Sequence, residues 1–73
     1  MLRVLVDSTT LASASHEAQS ALLELQFRSG AVYQYFDVPD GVYQNLLAAP
    51  SKGAYFNKHI RGRYRYQRMT RRS

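Results

Sequence analysis

The sequence predicts a small α+β domain: an antiparallel β-meander packed against two short helices, with a C-terminal strand returning to the sheet. Three observations carry this. Residues 22–28 and 31–36 alternate apolar and polar side chains on either side of Ser29-Gly30, the pattern of two half-buried strands around a tight turn. Residues 39–61 change to helical spacing, punctuated by Pro39, Pro50 and Gly62. Residues 64–69 alternate again. The chain of 73 residues suits one domain, with a core over about 8–69 and a basic tail at 70–73.

The elements follow in order. Residues 1–6 suit an edge strand ended by Asp7-Ser8. Residues 11–16 suit a strand, because Ser13 and Ser15 weaken the helix that the alanines would allow. Residues 17–20 then turn the chain. In the hairpin, a two-residue loop of Ser29-Gly30 would bury Gln34 in an apolar face. A three-residue loop, Arg28-Ser29-Gly30, pairs Phe27 with Ala31, Leu25 with Tyr33 and Leu23 with Tyr35. It sends Gln34 and Glu24 to solvent together. Burying an unpaired amide costs about 1–3 kcal/mol, so the three-residue loop with a left-handed Gly30 is expected. Tyr33 and Tyr35 then sit at the core or its rim.

Pro39 fits a first helical turn, with Asp40 at the positive end of the dipole. Val42, Leu46 and Ala49 line one face of that helix, and Pro50 ends it. Ser51 is placed to cap a second helix, in which Phe56 and Ile60 share a face, as do Tyr55 and His59. Gly62 supplies its stop. Gly53 weakens that helix, which implies close approach of another backbone or a ligand.

Composition excludes several classes. Hydrophobic residues make up 45% and charged residues 21%, a globular balance. There is no cysteine, so no disulfide framework and no cysteine-ligated zinc; this fits a reducing, cytoplasmic compartment. No apolar run approaches the ~18 residues of a membrane span. His16 and His59 lie far apart and no clustered carboxylates accompany them, so no metal or other cofactor is expected. No nucleophile, base and orienting group recur at a useful spacing, so a non-catalytic protein is expected. His59 is expected as a half-buried packing residue; its catalytic use with Asn57 or Ser51 is the remote rival.

Charge points to a partner. Residues 1–50 carry two arginines against five acids, a net −3; residues 51–73 carry eight lysines and arginines and no acid, a net +8. Aromatics are interleaved with those cations. Single-stranded RNA is held by base stacking on aromatics and by phosphate contacts to lysine and arginine. Lys52, Lys58, Arg61, Arg63, Arg65 and Arg68 are therefore the expected phosphate contacts, with Tyr55 and Tyr66 as the stacking rings. The start of the second helix at Ser51-Lys52-Gly53 offers N–H groups to an anion. The expected partner is RNA or single-stranded nucleic acid. The alternative is a protein-interaction module docking on an acidic partner or self-associating through a sheet edge. No membrane partner is expected, and the chain is expected to be a monomer or a weak homo-oligomer.

The run from Ser51 to Arg61, Ser-Lys-Gly-Ala-Tyr-Phe-Asn-Lys-His-Ile-Arg, lies downstream of Tyr33-Gln34-Tyr35 and Val38-Pro39. It resembles the KTSC domain, a family named for a C-terminal appendage of some lysyl-tRNA synthetases and also found as small free-standing bacterial proteins. The resemblance spans about residues 8–69, with His16 standing where the family pattern implies a tyrosine. It implies a small α+β module and RNA contact, the latter from attachment to a synthetase. No synthetase catalytic motif is present, so aminoacylation is not implied.

Overall fold

Each strand of the sheet pairs with its neighbour in sequence. In the computed structural model, which describes residues 3–6 and 9–69, the order is β1 (Arg3–Leu5), β2 (Leu11–Glu17), β3 (Leu22–Phe27), β4 (Val32–Tyr35), α1 (Asp40–Ala48), α2 (Lys52–Tyr55) and β5 (Tyr66–Met69). The five strands form one antiparallel sheet in the order β1-β2-β3-β4-β5. The expected edge strand, meander, two helices and closing strand are all present; the basic tail at 70–73 and the Asp7-Ser8 terminator lie outside the described residues.

The hairpin has the three-residue loop. Leu23 pairs with Tyr35, Glu24 with Gln34 and Leu25 with Tyr33. The Phe27 N–H donates to the Ala31 carbonyl at 2.8 Å, and Gly30 is left-handed at φ 98°. The Gln34 side-chain amide donates to Glu24 Oε1 at 3.2 Å on the polar face, so the amide that decided the register is satisfied there. Ser13 Oγ donates to Gln26 Oε1 at 3.1 Å on the same face.

The opposite face carries the core. Leu11, Leu23, Leu25, Val38, Leu46 and Ile60 are fully buried, joined by Ala14, Tyr35, Tyr43 and Phe56. Each buried leucine contributes about 1.5–3 kcal/mol of transfer free energy. The buried residues of α1 are Tyr43 and Leu46, with Val42 and Leu47 packed at the margin. The apolar stripe is thus centred on Tyr43 rather than on Val42. The reason is His16, whose ring stacks on Tyr43 at 5.2 Å between centroids. Pro39 is the N-cap of α1 rather than its first helical residue.

The second helix is not α-helical throughout. Ser51 Oγ accepts the Ala54 N–H at 3.3 Å, the expected cap. After α2 the chain widens into a π-helical turn, Phe56–Ile60, closed by the Arg61 N–H donating to the Phe56 carbonyl at 2.8 Å. Such wide turns are rare and occur mostly as single turns within a helix. Here Phe56 and Ile60 are both buried. Gly62 at φ 75° then reverses the chain. At Gly53 a Cβ would stand 2.7 Å from Thr10 Oγ1, so the close approach within the chain is to a side chain rather than to another backbone. Among the described residues no helix is long and apolar enough to cross a membrane.

Candidate nucleic-acid interface

Register places three tyrosines together. Tyr33 and Tyr35 are two apart on β4 and therefore face the same way. β5 sets Tyr66 opposite Tyr35 and Arg68 opposite Tyr33. Ring centroids lie 5.6 Å apart for Tyr33–Tyr66, 5.6 Å for Tyr35–Tyr66 and 6.3 Å for Tyr33–Tyr35. Phe56, delivered by the π turn, meets Phe27 edge-on at 5.3 Å and Tyr35 at 5.7 Å. Edge-to-face pairing of this kind suits the ring quadrupoles.

The cluster borders an open groove of about 640 Å³, completed by Thr10, Ser29, Ala31, Asn57, Arg61 and Gly62. A smaller depression of about 450 Å³ adjoins it through Thr10 and Asn57 and reaches Lys52 and Pro50. Among the described residues no carboxylate lines either hollow. The Tyr35 hydroxyl is pushed up to about 12, first by burial and then by the neighbouring Tyr33 and Tyr66 hydroxyls, with Arg61 pulling the other way.

The expected contact residues divide by this geometry. Tyr66 is 58% exposed and lines the groove. Arg61 is exposed and lines it too, and the Arg68 guanidinium lies 5.9 Å from the Tyr33 ring centroid. Lys58 and Arg63 are exposed and have no carboxylate partner among the described residues. Arg65 lies 3.8 Å from Asp37 Oδ2 and over the Phe36 ring. The Lys52 ammonium donates to the Ala49 carbonyl at 3.1 Å, closing the end of α1. Tyr55 does not border the groove; it is half-buried and packs against His59 at 4.5 Å. His59 is exposed rather than half-buried, because the π turn spends Phe56 and Ile60 on the core and leaves His59 outside. At the start of α2 the Ala54 N–H is already taken by Ser51 Oγ.

Sequence reasoning singled out Tyr66 and Arg61 but not Tyr33, Tyr35, Phe27, Phe56, Asn57 or Thr10 as groove residues. The available signal was the Tyr33-Gln34-Tyr35 alternation, which puts two rings on one face. What was missing was the pairing partner that would lay Tyr66 across them.

One histidine–carboxylate pair joins β2 to α1. His16 Nδ1 lies 3.6 Å from Asp40 Oδ1. Its Nε2 lies 2.7 Å from the Val38 carbonyl, which only accepts, so Nε2 carries the proton. The His16 side chain is 2% exposed. A base needs a free nitrogen facing a substrate, and this ring is used for packing instead. Among the described residues no group of three or more His, Asp or Glu gathers as a metal site would.

Fold and groove define a small α+β module built around a five-stranded meander, with one open aromatic groove bordered by cations. The KTSC domain family model matches residues 7–64, and the chain belongs to that family. A crystal structure of a KTSC domain protein from Yersinia pestis is similar, with a TM-score of 0.91 and 33% identity, covering 94% of this chain and 97% of that one. A lysine–tRNA ligase of Nostoc punctiforme is 38% identical over 64 residues, which are 88% of this chain and 11% of the ligase. The chain thus spans about a tenth of the curated ligases it matches. An uncharacterized protein of Stutzerimonas stutzeri is 41% identical over 70 residues, covering 94% of this chain and 99% of that protein.

Proposed function

We propose that this domain is a non-catalytic module that binds RNA or other single-stranded nucleic acid along its aromatic groove, with Arg61, Arg63, Arg68 and Lys58 on the phosphates. One observation carries the reading: Tyr66, 58% exposed, stands beside Tyr33 and Tyr35 in a groove that Arg61 lines and that no acid among the described residues enters. Sequence-tolerant binding of single strands combines these parts, a cationic track and exposed ring faces. The match to lysine–tRNA ligases makes tRNA the first RNA to try, and a cytoplasmic location goes with that ligand. Lys52 and Arg65 join the contact only by giving up the Ala49 carbonyl and Asp37.

Binding of the purified domain to tRNA, single-stranded RNA and duplex DNA at two salt concentrations tests this. Affinity for single strands should fall with salt with a log–log slope near −0.7 per phosphate contacted. Replacing Arg61 and Arg68 together by Ala should flatten the slope by about 1.4, two phosphates' worth, with circular dichroism unchanged. Equal affinity in the double variant overturns the surface.

The rival is a protein-docking module. Its support is Leu5, 83% exposed on the edge strand β1, since an open edge invites another strand. Protein capture that survives nuclease and high salt, with no RNA binding, would favour it.

A further inference from the structure

We infer that the aromatic groove is a seat for one unstacked nucleotide, its base against Tyr66 and its phosphate on Arg61 and the tyrosine hydroxyls. This rests on the nucleic-acid reading for the class of ligand and on the groove for the place.

The wall supplies half of the recognition. Phe27, Tyr33, Tyr35 and Phe56 form an aromatic floor, and Tyr66 keeps more than half of its surface open above it. A base lifted out of its stack seeks such a ring face. Asn57, on the rim, carries an amide that can both donate to and accept from a base edge.

The mouth supplies the other half. Tyr35 is 4% exposed and lines the groove. Tyr33, Tyr66 and Arg61 lie close enough to shift its proton affinity, so three phenols and a guanidinium share one neighbourhood. Each can donate, and among the described residues no carboxylate lines the groove to oppose an anion. Arg61 repels a cation, so a quaternary-ammonium cage does not fit. A volume of about 640 Å³ is that of a small-molecule site. A nucleoside monophosphate joins the ring and the oxyanion that these two halves want. The cations Lys58, Arg63 and Arg68, exposed and without an ion pair among the described residues, suit the further phosphates of a strand, which favours a nucleotide over an isolated carboxylate.

NMR titration of the whole domain with AMP, adenosine, inorganic phosphate, N-acetyl-phenylalanine and a single-stranded RNA octamer tests the seat. AMP should shift the amides of Tyr33, Tyr35, Asn57, Arg61 and Tyr66, and adenosine should bind at least tenfold more weakly. Arg61→Ala should bring AMP down to the affinity of adenosine, and Tyr66→Leu should weaken both by about fivefold or more. Both residues are exposed, and the comparison of AMP with adenosine needs no variant. An octamer that binds while the groove amides stay silent, with AMP inert, overturns the seat and leaves the RNA reading standing. AMP bound in the groove with no affinity for the octamer upholds the seat as a site for free nucleotide and overturns the RNA reading. N-acetyl-phenylalanine binding more tightly than AMP overturns the seat in favour of a peptide carboxylate.

Discussion

The helix-covered face of the sheet is built differently at its two margins. Toward β1, β2 and β3 it presents Val6, Leu11, Ala14, Leu23 and Leu25, all buried. Toward β4 and β5 it presents Tyr33, Tyr35, Tyr66 and Arg68, and burial fades from Tyr35 at 4% to Tyr66 at 58%. The aliphatic margin is closed by Leu46 and Ile60, which leave nothing for a ligand to displace. The aromatic margin extends beyond the helical cover. Aliphatic side chains gain only by burial, whereas a tyrosine keeps a polar end for water or a ligand. One sheet face therefore serves as core on one side and as a binding wall on the other.

The sharpest way to break this contrast is on the closed side. Leu25→Ala should cost about 2–5 kcal/mol, a large share of a small domain's stability. Urea denaturation showing a loss below about 1 kcal/mol would mean that the aliphatic margin is not the stabilising half. A smaller effect is expected at His16. His16→Phe keeps a ring on Tyr43 but strands the Val38 carbonyl, for about 1–3 kcal/mol. A thermal melt unchanged by this substitution would make the histidine bond irrelevant to the fold.

Alkaline pH probes the boundary between the halves. Tyr35 holds its proton up to about 12 in the folded chain, against 10.0 ordinarily, and burial raises Tyr43 as well. The folded state thus keeps protons that the unfolded state releases first. This stabilisation is complete below pH 10 and fades as pH rises toward 12. Tyr35→Phe should remove part of the alkaline loss of stability, leaving the part due to Tyr43; identical pH profiles for both proteins would count against it.

The smallest stability effect belongs to the open side. Asp37 and Arg65 are more than 80% exposed, and such pairs contribute about 0–1 kcal/mol. Asp37→Asn should leave the melt almost unchanged while tightening RNA binding, because Arg65 is released. Weaker RNA binding in that variant would show that Arg65 needs Asp37 to be positioned.

Much of the fold was legible in short segments. The hairpin register followed from one buried-amide argument about Gln34, and the helix ends from Ser51, Pro50 and Gly62. Those signals act over a few residues, so a linear chain displays them. The π turn was not legible: four-residue spacing of Phe56 and Ile60 fits an α-helix equally well, and packing against Phe27 and Tyr35 is a long-range contact. The same limit misplaced His59, which is exposed, and hid the employment of Lys52 on the Ala49 carbonyl and of Arg65 on Asp37.

Charge asymmetry, strand alternation and capping chemistry are properties of neighbouring residues, and they were enough to establish the α+β meander and its cationic final third. The groove was not contained in any such stretch. It exists because β5 returns to β4 and lays Tyr66 across Tyr33 and Tyr35 while the π turn brings Phe56 and Arg61 to the same edge. Residues thirty positions apart meet there by sheet pairing and burial, forces that have no signature until the chain has closed on itself.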